Sequence, residues 1–179
     1  MSFFYFIRHA PTQNNIDKVR CGGDVNVPLI NGFEDYTKPS LIELNKFSIS
    51  NIYTSDLIRT YETAKFIAKY SSTAPAIVID NRLKERFLGK LNFQEITSTE
   101  NFLKNPPKNY GVENNDVFAS RILDVINHIK NQEKKDISKT LVVSSKGVAR
   151  VLSEQFKFEI IGPSKDIYAN CQLIKFFLN

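Results

Sequence analysis

The sequence predicts an α/β protein, a three-layer sandwich whose mostly parallel sheet carries helices on both faces. Three observations lead there. Short apolar runs recur along the chain; a polar turn follows several of them; and a segment with apolar residues at helical spacing comes next. Strands that alternate with helices in this way build parallel sheets, because the crossover connection is itself the helix. A length of 179 residues suits one domain, taken as 1–179, with enough chain to bury a substantial core.

Phe3 to Ile7 is read as the first strand, an unbroken apolar run of the kind expected when both faces of a strand are covered. It runs straight into Arg8-His9. An irregular stretch with Gly22-Gly23 and Pro28 to Gly32 leads to a helix near Glu34 to Phe47, which Pro39 should break or begin. Asn51-Ile52-Tyr53 is a second strand. After Thr54-Ser55-Asp56 comes a helix from Leu57 to Lys69, with Leu57, Tyr61, Ala64 and Ile67 or Ala68 on one face and Asp56 or Ser55 as its N-cap. Ala76 to Ile79 is a further short strand. Residues 81–115 are less regular, with Pro106-Pro107 and Asn114-Asn115 as breakers. A long amphipathic helix follows, presenting Val117-Phe118, Ile122, Val125-Ile126 and Ile129 on one side. Thr140 to Val143 is a strand, Ser144-Ser145-Lys146-Gly147 a turn, and Val148 to Phe156 a helix. Cys171 to Leu178 closes the chain as a last strand, and one edge strand is expected to run antiparallel.

Composition narrows the function classes. Apolar residues at 42% against 24% charged describe a chain that can fold around a core rather than remain disordered. The net charge of +5 suits an anionic ligand. The lysines are scattered, and the one dense run, Lys130 to Lys139 with Lys134-Lys135, sits at a helix end where cations complement the dipole. Without a recognisable binding module, nucleic acid is not expected as a partner. Cys21 and Cys171 offer neither a disulfide framework nor metal-ligand spacing, and no metal or cofactor is expected. The opening apolar run is too short for a signal peptide, and no stretch has transmembrane length. A cytoplasmic setting without membrane attachment is the expectation.

In parallel sheets ligands gather at the carboxyl ends of the strands. The three strand-to-helix junctions carry Arg8-His9, Arg59 and Ser145-Lys146, so these residues are expected to meet at one pocket. His9 is one of only two histidines; the other, His128, lies inside the long helix with no motif around it and reads as an ordinary helix residue.

Four segments, in order, give the chain its resemblance to the histidine phosphatase superfamily, in its phosphoglycerate mutase-like branch. Arg8-His9-Ala10-Pro11-Thr12-Gln13-Asn14-Asn15 resembles the family's Arg-His-Gly-x-Thr-x-x-Asn opening, with Ala10 for glycine. Arg20-Cys21-Gly22-Gly23 through Val27-Pro28-Leu29 is similar to the loop that follows. Thr54-Ser55-Asp56-Leu57-Ile58-Arg59-Thr60 with Thr63-Ala64 resembles the second-arginine motif, and Glu85-Arg86-Phe87-Leu88-Gly89 the segment that supplies the acid. The resemblance implies a phosphatase acting on a phosphorylated small molecule or phosphoprotein. His9 is then the nucleophile that forms a phosphohistidine, and Glu85 the proton donor. Arg8, Arg59, Asn15 and the amides near Gly22-Gly23 become the phosphate ligands.

Those residue types suit that chemistry. Two flanking guanidiniums disfavour the charged imidazole, keeping it nucleophilic, and their forked donors match phosphate oxygens. The departure is at Ser144-Ser145-Lys146-Gly147, where the family has Ser-His-Gly-Gly: Ser145 occupies the place of the second histidine. Ser145 can still donate a hydrogen bond and Lys146 a charge. Two readings therefore stand, a phosphatase of reduced activity and a catalytically silent relative that binds a phosphorylated ligand or partner.

Overall fold

The structure, a computed structural model, describes residues 2–133 and 136–178. Its strands are β1 (Ser2–Arg8), β2 (Asn51–Thr54), β3 (Ala76–Ile79), β4 (Thr140–Ser144), β5 (Lys157–Gly162) and β6 (Leu173–Leu178). Its α-helices are α1 (Gln13–Ile16), α2 (Phe33–Leu44), α3 (Ile58–Tyr70), α4 (Glu100–Lys104), α5 (Asn115–Gln132) and α6 (Lys146–Gln155). The strands form one sheet in the order β3-β2-β4-β1-β6-β5. β1, β2, β3 and β4 pair in parallel, so their carboxyl ends lie along one edge.

The alternation along each central strand divides the core in two. Phe4 and Phe6 of β1, Val142 of β4, and Ile174 and Phe176 of β6 pack on one face with Ile122, Val125, Ile126 and Ile129 of α5 and Val148 and Leu152 of α6. Tyr5 and Ile7, Leu141 and Val143, and Leu173 face the other way, against Leu41 and Leu44 of α2 and Ala64 and Ile67 of α3. A two-residue side-chain period, with apolar partners on both sides, makes β1 and β4 continuous apolar runs. The α/β class with a mostly parallel sheet and helices on both faces is the observed architecture.

Four details differ from the sequence reading. The antiparallel strand is not at the edge: β6 lies between β1 and β5, pairing antiparallel with each. The edge on that side of the sheet belongs to β5, which the sequence did not signal. Its Lys157, Phe158, Glu159 and Ile160 are all exposed, so no apolar alternation marks it. Pro39 does not interrupt α2. It sits on the solvent side together with Asp35, whose carbonyl loses its donor, so water can satisfy the orphan oxygen. Neither Asp56 nor Ser55 caps α3. The Asp56 carboxylate pairs with Lys84 Nζ at 2.8 Å, Ser55 Oγ shares a hydrogen bond with Thr60 Oγ1, and the Ile58 amide donates instead to Asn26 Oδ1 at 2.7 Å. That last bond ties the 20–26 loop to the start of α3.

The dense basic run is described only in part: Lys134-Lys135 lie outside the described residues, while Lys139 pairs with Asp136. No helix among the described residues is long and apolar enough to cross a membrane.

Candidate active site

The site grows from the register of the two central strands. Arg8 of β1 stands opposite Ser144 of β4, and the His9 amide donates to the Ser144 carbonyl at 2.8 Å. His9 and Ser145, the next residue on each strand, therefore leave the sheet side by side. Ser145 opens α6 as its N-cap residue.

His9 is only 4% exposed. Its Nδ1 lies 2.7 Å from the Ala10 carbonyl. A carbonyl only accepts, so Nδ1 carries the proton, and in the neutral ring Nε2 keeps its lone pair. Burial holds the imidazole well below its ordinary value of 6.5, and the nearby Arg8 and Arg59 charges push in the same direction. The ring is a neutral imidazole near two cations.

Arg59 projects from the first turn of α3, itself 1% exposed. Its Nη1 donates to the Val25 carbonyl at 3.0 Å and its Nη2 to the Gly22 carbonyl at 2.9 Å. Two of the five guanidinium N–H groups are thus anchored to the loop, and three remain for a ligand. The helix is tied back to the His9 segment: Thr63 Oγ1 accepts from the Ala10 amide at 3.0 Å and donates to the Arg59 carbonyl at 2.7 Å. Arg8 donates through Nη1 to the Tyr168 carbonyl at 2.5 Å, while its buried Nε has no partner. Burial lowers its affinity for the proton, and Glu85 counters that.

Glu85 reaches the site from the irregular segment after β3. Its Oε2 accepts from the Gly147 amide at 2.7 Å, and its Oε1 from the Arg86 amide at 2.7 Å. The carboxyl group thus sits at the amino end of α6. Gly147 is required there: a Cβ at that position would lie 1.9 Å from Glu85 Oε1.

Not every residue named from the sequence offers a free donor. Both amides of the glycine pair are spent, that of Gly22 on Asn92 Oδ1 at 2.7 Å and that of Gly23 on the Arg86 carbonyl at 2.9 Å. The expectation that they bind phosphate is corrected on that ground. The pair serves close packing, since a Cβ on Gly23 would stand 2.0 Å from the Glu85 carbonyl. Asn15 closes a capping box with Thr12, and its Oδ1 also accepts from Asn170 Nδ2 at 3.1 Å. Asn170 in turn holds the His9 carbonyl at 2.9 Å. Nothing in the sequence pointed to Asn170, which comes from the loop before β6.

Four buried side-chain polar atoms lack a hydrogen-bond partner among the described residues, and two of them, Arg8 Nε and Ser145 Oγ, belong to this site. Ser145 is 2% exposed. Lys146 beside it is exposed, with Nζ 5.6 Å from the centre of the Tyr168 ring. Partial burial and the charges of Arg8 and Arg150 lower its proton affinity. His128 is exposed on α5, apart from this cluster. No group of three or more His, Cys, Asp or Glu side chains among the described residues could hold a metal ion.

Comparison with known proteins places the chain among related sequences and structures. The family profile of the histidine phosphatase superfamily (branch 1) matches residues 4–175. A probable phosphoglycerate mutase of Escherichia coli is 33% identical over 94 residues, which covers 52% of this chain but only 42% of that protein. A broad-specificity phosphatase of Saccharomyces cerevisiae is 23% identical over 163 residues, 87% of this chain and 70% of that protein. Among solved structures, YhfR of Bacillus stearothermophilus is similar with a TM-score of 0.77 at 20% identity, covering 96% of this chain and 88% of that one. A mycobacterial glucosyl-3-phosphoglycerate phosphatase reaches 0.73 at 19% identity, covering 97% and 89%. At such identities the structural likeness speaks for the fold.

Proposed function

The chain belongs to the histidine phosphatase superfamily, branch 1, and from that membership and the pocket we propose that it hydrolyses phosphate monoesters through a phosphohistidine on His9. The observation that carries this reading is the neutral, Nδ1-protonated imidazole set between Arg8 and Arg59. An ordinary buried histidine has no use for two flanking cations, whereas a phosphoryl acceptor needs its lone pair and its counter-charges in one place.

In the first step His9 Nε2 attacks phosphorus and the bond to the ester oxygen breaks. The Glu85 carboxyl gives its proton to the leaving oxygen. In the second step water attacks the phosphohistidine, Glu85 takes the water's proton, and the N–P bond breaks to release phosphate. The three uncommitted N–H groups of Arg59 and the unpartnered Arg8 Nε supply donors for the phosphoryl oxygens, where preorganised charge lowers the barrier most. Ser145 Oγ stands in this reading where relatives carry a second imidazole, and donates one neutral hydrogen bond. The substrate is a phosphorylated small molecule or phosphoprotein, met in the cytoplasm.

The test is hydrolysis of p-nitrophenyl phosphate by the wild-type protein and by His9→Ala. Loss of at least about a thousandfold in kcat/KM on removing the nucleophile is the expected result. A wild-type protein without turnover, yet protected against heat by inorganic phosphate, would instead establish the silent, ligand-binding relative.

A further inference from the structure

Arg121, on α5, lies outside the four segments that carry the family likeness, and its side chain has an unusual set of partners. Its Nη1 donates to the carbonyls of Arg82 and Lys84, both at 2.7 Å. Its Nη2 donates to the Glu85 carbonyl at 3.0 Å and to Glu113 Oε2 at 2.8 Å, and its Nε to Glu113 Oε1 at 2.7 Å. All five guanidinium donors are thereby spent. Three of the five acceptors are main-chain oxygens of residues 82–85, the short piece of backbone that ends in Glu85.

The partner carboxylate is tied to the same piece. Glu113 Oε2 also accepts from the Phe87 amide at 3.1 Å, its own amide donates to the Phe87 carbonyl at 2.9 Å, and its carbonyl accepts from Arg86 Nε at 2.7 Å. The guanidinium lies over the rings of Phe87 and Phe118, 5.4 and 4.7 Å from their centres. The Arg121–Glu113 pair is a forked, two-bond contact; the Arg121 side chain is 18% exposed and that of Glu113 9%. Such a pair has one geometry rather than many.

We propose that Arg121 and Glu113 are positioning residues that set the place of the Glu85 carboxyl against the leaving oxygen. The inference rests on the proposed phosphatase reaction and deepens it. Residues 81–92 contain only two short 3-10 turns, so no long helix or strand holds Glu85 in position. Gly147 fixes the tip of the side chain, and Arg121 fixes the backbone from which it springs. A lysine at 121 has three donors on one point and cannot grip three carbonyls while matching a carboxylate. Displacing a reacting group by about 1 Å can cost about a hundredfold in rate.

The readout is leaving-group dependence. A p-nitrophenolate departs without help from an acid, whereas an alkoxide needs a proton, so misplacing Glu85 harms alkyl esters selectively. Values of kcat/KM, which report the steps up to phosphoryl transfer, are measured for p-nitrophenyl phosphate and for glycerol phosphate. The proteins compared are the wild type, Arg121→Lys, Glu113→Gln and, as a benchmark, Glu85→Gln. Arg121→Lys should lower the alkyl-to-aryl ratio by about tenfold, in the direction of Glu85→Gln, with KM little changed. Equal losses on both esters, as a general structural defect produces, or no loss at all, overturn the proposal. If Arg121→Lys does not fold, Glu113→Gln decides by the same ratio. A wild-type protein inert toward both esters would overturn the reaction itself and this inference with it.

Discussion

His9 and Ser145 follow the adjacent, in-register ends of β1 and β4, yet the two side chains are held in opposite ways. Past the end of β1 the His9 amide is held by Ser144, its carbonyl by Asn170 and its Nδ1 by the Ala10 carbonyl, which leaves the Nε2 lone pair open. At the end of β4 the Ser145 hydroxyl is buried with no partner at all. One junction is built to hold a reactive ring in a single pose. The other keeps a donor unspent, at a cost of about 1–3 kcal/mol for a buried polar group left unpaired. A ligand that supplies an acceptor at that point recovers the difference, and the proposed phosphoryl group is such a ligand.

The largest effect that can break this comparison comes from placing an imidazole beside His9. Ser145→His should raise kcat for p-nitrophenyl phosphate by about a hundredfold, the usual worth of one preorganised transition-state donor. No gain in a variant that keeps its fold would mean that residue 145 does not face the transferred group.

A second test concerns the finished junction and depends on pH. Burial and two cations depress His9 in the folded protein, so below 6.5 the unfolded chain binds a proton that the folded chain refuses. The stability due to the neutral ring is therefore complete above 6.5 and falls as the pH drops, with a slope of up to about 1.4 kcal/mol per pH unit. Urea unfolding between pH 7 and pH 5 should show this slope in the wild type and a shallower one in His9→Gln. Parallel curves would mean that His9 takes up its proton in the folded state as readily as in the unfolded one.

The smallest effect sharpens the other side. Ser145→Ala removes the orphan hydroxyl without a partner to lose, so the phosphate-free protein should gain about 1 kcal/mol of stability. The protection that added phosphate gives against heat should shrink at the same time. A variant less stable than wild type would show that the hydroxyl already has a partner in solution.

Much of the fold is legible in the sequence. The runs at Phe3–Ile7 and Thr140–Val143 have apolar neighbours on both faces, and that demand leaves a continuous imprint on the sequence. The α5 face of Phe118, Ile122, Val125, Ile126 and Ile129 is legible for the same reason, with helical spacing. What was missed has no such imprint. β5 is an exposed edge, α3 takes its cap from Asn26, thirty-two positions away in the chain, and Pro39 is harmless only because it points to solvent.

The site divides along the same line. The sequence by itself determined which chemistry is available, an imidazole, two guanidiniums and a carboxyl carried by strand-to-helix junctions, since side-chain type is a local property. Only the tertiary structure decided which of these groups remain free to act. It spends the Gly22 and Gly23 amides, leaves three N–H groups of Arg59 open, strands Ser145 Oγ, and commits three donors of Arg121 to the backbone beneath Glu85 and its other two to Glu113. The physical reason is that a hydrogen bond consumes its donor, and partners distant in sequence, such as Arg121 and Arg82, become rivals or supports only once the chain has closed on itself.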